Sequence, residues 1–339
     1  INRPVRLLFL AYADVIEPPT HPLPADFDYQ IGIATYFPIV RCYVHRFDAS
    51  DCSVNERYKG HLLGWAVEPK RHYKGQICIG EYYNVSGYKC LPICFMSTMA
   101  TDIPYYYSIG ARHFHYMHCT TDNMGNKALT NYQMARQLWE PGLDCEALWK
   151  DYFTGRYGPA HAQMRQFYEN LEKMLCNVSE LKYDLARQLE RGAADLFPKP
   201  HLQYEKTAQQ KDDGPDLVEI LQSAKRCREI IGGVVKQELP ERIRHRVAED
   251  ERLFTYGERT VQFYDALCRT YFDVRKSKLT EAREALAEAQ ELARLLEADT
   301  TSTTFSATHA TDVNALSASR ATGAPKRLAE MIRALETKK

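Results

Sequence analysis

A chain of 339 residues is long enough for two domains with separate cores, and 45% apolar with 26% charged residues is the make-up of an ordinary globular protein. Lys+Arg and Asp+Glu are both 44, so no basic excess argues for nucleic acid and no acidic tail is present. No run of about 18 apolar residues occurs, so no membrane span is expected.

Residues 5–12 (VRLLFLAY) form a near-continuous apolar run of strand length, the pattern of a strand buried on both faces. Because the chain enters this strand directly from Ile1, it reads as the downstream part of something longer. A Pro-rich loop, 18–24, follows, with Asp14 and Glu17 at its start. A second strand over 31–37 (IGIATYF) ends at Pro38 and delivers Tyr36 to its end. The loop after it carries Arg41, Cys42, His45, Asp48 and Asp51 and leads into a helix over 55–67. A third strand over 76–83 (QICIGEYY) brings Glu81, Tyr82, Tyr83 and Asn84 to its end. A helix near 98–109 then passes through Gly110 into a fourth strand in which His113 and His115 alternate with Phe114 and Tyr116. A polar loop over 119–127 and an amphipathic helix over 130–139 complete this last unit. Pro141–Gly142 stops that helix, and a further one is opened by Asp144 and closed by Gly158.

From Pro159 onward the spacing is that of long helices: 159–192, 216–239 with a weak point at Gly232–Gly233, 240–276, 280–298 and 325–335. A Ser/Thr/Ala linker is expected near 300–311. The Leu, Met and aromatic stripes of these helices read as core, and no catalytic role is assigned to them. The domains expected are therefore 1–158 and 159–339. Strands separated by helices or long loops imply a parallel α/β arrangement. Four such units are either a small domain in their own right or half of a (β/α)8 barrel.

Ten Cys are scattered without a CxxC pair, so neither a structural zinc site nor any other metal or cofactor is expected. Cys78 and Cys268 read as buried thiols, while Cys42/Cys52 and Cys90/Cys94 are left open as pairs. The helix residues Trp65 and Trp139 read as core. Neither GxxxxGK, GxGxxG nor GxSxG is present, which argues against phosphate, dinucleotide and serine-hydrolase chemistry.

In a parallel sheet, ligands meet the side chains at the C-terminal strand ends. Glu81 is the best carboxyl there: Gly80 beside it permits close approach, and Tyr82 and Tyr83 are placed to hold its charge state by hydrogen bonds. Asp14, Glu17 and Asp122 are the other acidic candidates. Tyr36, Arg41, His45, Tyr82, Tyr83, Asn84, His115, Tyr116 and His118 are candidate sugar contacts, with Asp14 beside them. Asn84-Val-Ser and Asn177-Val-Ser match glycosylation acceptors, but Asn84 reads first as a site residue or turn former.

The run GARHFHYMH, then LTNYQMARQLWEPGLDCEALWKDYFTGRYG, resembles the end of a catalytic module of bacterial carbohydrate-degrading proteins. Its features are Gly110 before a last barrel strand, the Leu-Trp-Glu-Pro run at 138–141, Asp144, and Tyr157–Gly158. The resemblance extends over about residues 5–175 and is to glycoside hydrolase family 163, endo-β-N-acetylglucosaminidases, and more distantly to α-glucuronidases. It implies an α/β fold, the C-terminal half of a (β/α)8 TIM-type barrel followed by an all-α helical bundle. It also implies a hydrolase of the β-N-acetylglucosaminidase type using substrate-assisted catalysis; Glu81 is the catalytic candidate by its strand-end position alone. An α-glucuronidase-like hydrolase or a non-catalytic carbohydrate-binding chain are the alternatives. The partners expected are a carbohydrate substrate and an upstream barrel half or a second copy, with no nucleic acid and no membrane span. The general acid pair of related hexosaminidases sits on a fourth barrel strand, which in this numbering lies outside the chain. Secreted, periplasmic and cytoplasmic bacterial locations all remain open.

Overall fold

A computed structural model of the chain describes residues 5–39, 41–84, 91–118, 128–176, 217–301 and 318–337. They separate into two compact units. One is built from the described residues within Ile1–Val85, Phe95–Cys119 and Leu129–Trp149, the other chiefly from Lys150 onward.

The first unit is built on a four-stranded parallel sheet in sequence order, β1 (Leu7–Ala11), β2 (Gly32–Tyr36), β3 (Ile77–Asn84) and β4 (His113–His118). In register, Leu8 faces Ile33, Tyr36 faces Ile79, and Gly80 faces His115. Alternation divides the side chains between two faces. On one face Phe9, Ala11, Ala34, Tyr36, Ile77, Ile79 and Phe114 form an apolar core. Closing it are Tyr58, Leu62 and Trp65 of α1 (Ser53–Ala66) and Tyr106 of α2 (Met96–Ser108). The other face carries Leu8, Leu10, Thr35, Cys78, Gly80, Tyr82 and His115. Gly110, at φ +95, makes the left-handed turn that takes the chain from α2 into β4.

Two burial expectations are corrected here. β1 is not buried on both faces: Leu7, Leu8 and Leu10 are 61%, 51% and 55% exposed. It is an edge strand that pairs only with β2 among the described residues, whereas β2, between two partners, is buried throughout. Trp65 is core and donates to the Ile16 carbonyl at 3.0 Å, but Trp139 is 91% exposed at the last position of α3 (Ala128–Trp139). Leu138 before it is itself 38% exposed, and Pro141–Gly142 ends the helix directly after this pair.

Asp144 caps the next helix, α4 (Cys145–Tyr157), its Oδ1 accepting from the Glu146 and Ala147 amides at 2.9 and 3.3 Å. The division between units falls inside α4, between Trp149 and Lys150, not at Gly158 where composition changes. Trp149 donates to Gln133 of α3 at 2.8 Å, whereas the Phe153 ring packs on Tyr168 in the second unit.

The second unit is helical: α5 (His161–Leu175), α6 (Leu217–Val235), α7 (Glu241–Arg275), α8 (Leu279–Thr301) and α9 (Ala318–Glu336). α5 packs on α6, α7 on α8, and α9 on α8. Met164, Phe167, Tyr168, Leu171, Met174 and Leu175 all turn inward on α5, as their spacing requires. A buried carboxylate of this unit, Asp250, accepts from the Tyr157 and Tyr168 hydroxyls at 2.6 and 3.0 Å. Burial pushes the Asp250 carboxyl up to about 6 against the opposing pull of Arg156 and these hydroxyls. α6 runs unbroken through Gly232–Gly233, and α8 continues to Thr301. Asn177, the rest of the expected linker, Cys90 and Asp122 lie outside the described residues. Among the described residues no helix is long and apolar enough to cross a membrane.

Candidate functional site

The sheet's two faces hold different chemistry. On the helix-covered face, alternation places Glu81 and Tyr83 in line with Ile77 and Ile79, and Glu81 is fully buried. Its Oε2 accepts from the Tyr43 hydroxyl at 2.8 Å and from the Tyr82 amide at 3.1 Å, and its Oε1 accepts from the Tyr106 hydroxyl at 2.5 Å. Arg41 Nε stands 3.0 Å from Oε1, close enough for an ion pair but not aligned as a hydrogen bond. The same guanidinium donates through its Nη2 to Asp102 of α2. Asp102 also accepts from the Phe47 amide at 2.7 Å and the Tyr83 hydroxyl at 3.1 Å. Arg41 lies over the Tyr43 ring at 4.1 Å, a contact that adds to the holding of a desolvated cation.

One cation thus serves two enclosed carboxylates. Burial pushes the Asp102 carboxyl up to about 6, and Glu81 adds to the rise while Arg41 opposes it. Burial works against the Arg41 charge, but the Asp102 and Glu81 carboxylates outweigh it and raise its pKa. Glycosidic cleavage requires a sugar between two carboxyl groups, or one carboxyl beside a substrate acetamide. Here the space between the two carboxyls is filled by Arg41. The triad as it stands is an anchor, tying the loop after β2 and helix α2 to the end of β3.

The expected surroundings of Glu81 are corrected accordingly. Hydroxyls of Tyr43 and Tyr106, not of Tyr82 and Tyr83, hold the carboxylate. Gly80 opens no path to it: Gly80 points to the opposite face, where an added Cβ would overlap the Phe37 ring. A Gly80→Ala substitution is expected to cost about 1–3 kcal/mol, since Phe37 must leave its place for the methyl to fit. Urea denaturation measures the loss, and an unchanged midpoint would mean Phe37 has no fixed seat on β3.

On that opposite face, aromatic side chains cross the strand ends. The Phe37 ring meets Tyr12 at 6.1 Å, Tyr82 at 5.8 Å and His115 at 5.4 Å, all edge to face. Tyr12 and Phe37 directly follow β1 and β2, whereas Tyr82 and His115 lie within β3 and β4, so the row crosses the sheet where the first two strands end and the last two run on. His115 is its exposed end. Beside Tyr12, Asp14 is exposed in a short 3₁₀ turn entered through Ala13 at φ +52, a conformation that costs a non-glycine residue energy. Phe37 and Tyr82 are buried, so the rings able to meet the apolar face of a pyranose near the exposed Asp14 carboxylate are those of Tyr12 and His115.

Of the remaining expected site residues, Tyr36 is buried in the core and donates to the Tyr58 carbonyl at 2.8 Å. Tyr116 is half-buried and donates to Asn131 at 2.8 Å. The backbones of Asn84 and His118 pair across the ends of β3 and β4. His45 belongs to the loop after β2, with its Nδ1 3.2 Å from Cys42 Sγ. The residues that sequence reading missed are Asp102, Tyr43, Tyr106, Tyr12 and Phe37. A signal existed for Asp102, the one charged residue between Lys89 and Arg112. A lone charge in an apolar helix is buried with a partner or faces the only wet side.

The chain matches no family model and no curated protein sequence. It is similar in fold to a solved structure described as a GH138 enzyme targeting pectin rhamnogalacturonan II. The TM-score is 0.55 at 10% identity, over 91% of this chain and 53% of that one. This chain therefore spans about half the length of the structure it matches, and the mixed α/β fold with its parallel sheet is common to both.

Proposed function

We propose that this chain is the C-terminal half of a (β/α)8 barrel in a glycan-acting hydrolase, followed by its helical domain. The likeness in fold to a glycoside hydrolase over 91% of the chain carries this reading. Fold alone does not fix chemistry, and the accessible Tyr12 and His115 of the aromatic row, with the exposed Asp14 after β1, are the local support. In this reading an upstream barrel half pairs along the outer edge of β1 and covers Leu8 and Leu10. The sugar lies against His115 and the half-buried Tyr12, with the buried Phe37 and Tyr82 rings behind them. Asp14 presents the carboxyl, and the Arg41 triad holds the frame. The second carboxyl, or the one that orients a substrate acetamide, comes from the upstream half.

The leading substrate is a β-N-acetylglucosaminide cleaved with substrate assistance, on the strength of the motif resemblance at residues 110–158. A second reading takes a pectin-type or uronide glycan, because the matched enzyme is described as targeting pectin. The test is turnover of an aryl N-acetylglucosaminide, an aryl glucuronide and a pectin oligosaccharide by the protein and by its Asp14→Asn variant. Turnover of the first supports the leading reading, and turnover of either other substrate alone moves the assignment to the second. In the active case Asp14→Asn should lower kcat about 100-fold or more, the usual scale for an acid–base group. Sugar binding without turnover of any would leave a carbohydrate-binding chain, and neither binding nor turnover would sink the proposal.

A further inference from the structure

The loop between β2 and α1 brings Cys42, His45 and Cys52 together, with one donor atom from each lying within 4.8 Å of both others. The spacing is C-x₂-H-x₆-C, not the CxxC that sequence reading looks for, so the cluster emerges only when the loop is folded. All three side chains are at least half-buried, Cys52 at 7% exposure, and both cysteines are free thiols.

The loop is held in this shape by Asn55, fully buried in the first turn of α1. Its Oδ1 accepts from the Cys42 amide at 2.8 Å. Its Nδ2 donates to the carbonyls of Cys42, His45 and Arg46 at 2.9, 3.3 and 3.0 Å. One side chain therefore fixes the backbone at two of the three residues, and Cys52, immediately before α1, supplies the third. A set positioned by the fold before any ligand arrives loses less entropy on binding.

We infer that Cys42, His45 and Cys52 form a zinc site with three protein ligands and one open position. In tetrahedral zinc with Zn–S about 2.3 Å and Zn–N about 2.0–2.1 Å, the ligand atoms stand about 3.6–3.8 Å apart. The Sγ–Nδ1 separation of 3.2 Å and the 4.8 Å bound on all three pairs bracket that spacing, so small side-chain rotations bring them to the ion. Charge selects the ion: two thiolates and a neutral imidazole neutralise a divalent cation, whereas a monovalent one would leave a net negative charge half-buried. Binding forms two Zn–S bonds and one Zn–N bond and releases the two thiol protons to solvent. The fourth position takes water or an oxygen of a bound molecule, as in three-ligand zinc centres. Because Cys42 adjoins Arg41, the ion also braces the backbone from which Arg41 enters its triad. The inference does not depend on the glycan reading.

Cobalt(II) serves as the spectroscopic probe. The protein, reduced and stripped with a chelator, is titrated with Co²⁺ and then with Zn²⁺, and metal content is measured on samples purified with zinc in the medium. One ion per chain is expected, with thiolate-to-cobalt charge-transfer absorption that Zn²⁺ abolishes. Cys52→Ser and His45→Gln should lose it, while Cys268→Ser, in the helical unit, should keep it. Alkylation of the unaltered protein guards against variants that fail to fold. Zinc should protect Cys42 and Cys52 from a maleimide, as read by peptide mass. Absence of the thiolate absorption, unchanged alkylation of both cysteines with zinc, or a Cys42–Cys52 disulfide in protein kept under reductant would each overturn the site.

Discussion

Replacing Arg41 by Met is expected to cost about 3–5 kcal/mol, because it strands two carboxylates where water cannot reach them. Arg41, Glu81 and Asp102 side chains have no solvent exposure, and the Asp102 and Glu81 oxygens nearest Arg41 lose the cation that is paired with both. The Tyr43 and Tyr106 hydroxyls and the Phe47 amide remain, but neutral donors offset only part of the Coulomb loss. The desolvation logic supplies its own control. Combining Arg41→Met with Glu81→Gln and Asp102→Asn removes the charges together, and the triple variant should recover much of the loss. Chemical denaturation of the parent, the single variant and the triple variant reads this directly. A single-variant loss below about 1 kcal/mol, the scale of an exposed ion pair, would mean the triad is hydrated in solution.

Asp102→Asn is expected to change how stability depends on pH. The Asp102 carboxyl is ordinary at 3.8 in the unfolded chain and about 6 in the fold. Between those values the native state keeps a proton that the unfolded chain has released. Stability from this group is therefore present in full below about 4 and is lost as pH rises through about 6. The loss is on the order of 3 kcal/mol by pH 7.5. Asn does not titrate, so the variant should trail the parent most below about pH 4 and close the gap as pH rises, by about 2 kcal/mol between pH 4.5 and 7.5. Asp250, raised for the same reason in the helical unit, slopes the same way in both proteins, and the Arg46-paired Asp48 slopes oppositely in both. The difference between the two curves isolates Asp102. Parallel curves from pH 4.5 to 7.5 would show that Asp102 stays ionised throughout.

Both results bear on function through geometry. The triad fixes the loop after β2, and that loop carries both the proposed zinc ligands and the chain segment just beyond Phe37. A loosened triad should disturb the aromatic row at the strand ends without removing any group from it.

Local pattern alone was enough for much of the architecture. Apolar runs of strand length located the first three strands to within two residues, alternation of His and aromatic residues located the fourth, and 3.6-residue periodicity picked the inward side of α5 residue by residue. Pro141–Gly142 and Asp144 set the break between α3 and α4, because a missing donor and a capping carboxylate act on their own neighbours. What the sequence could not decide was which way a side chain faces. In β3 both alternating sets, Ile77–Ile79–Glu81–Tyr83 and Cys78–Gly80–Tyr82, are compatible with burial, and only helix packing assigns Glu81 to the covered side. Exposure of β1 and Trp139 likewise depends on what lies beside them. Arg41 meets Glu81 and Asp102 across 40 and 61 residues of chain, and Cys42 meets Cys52 across a loop closed by Asn55. Such partners are chosen by the tertiary fold, since a charge or thiol carries no local mark of the group that will neutralise it.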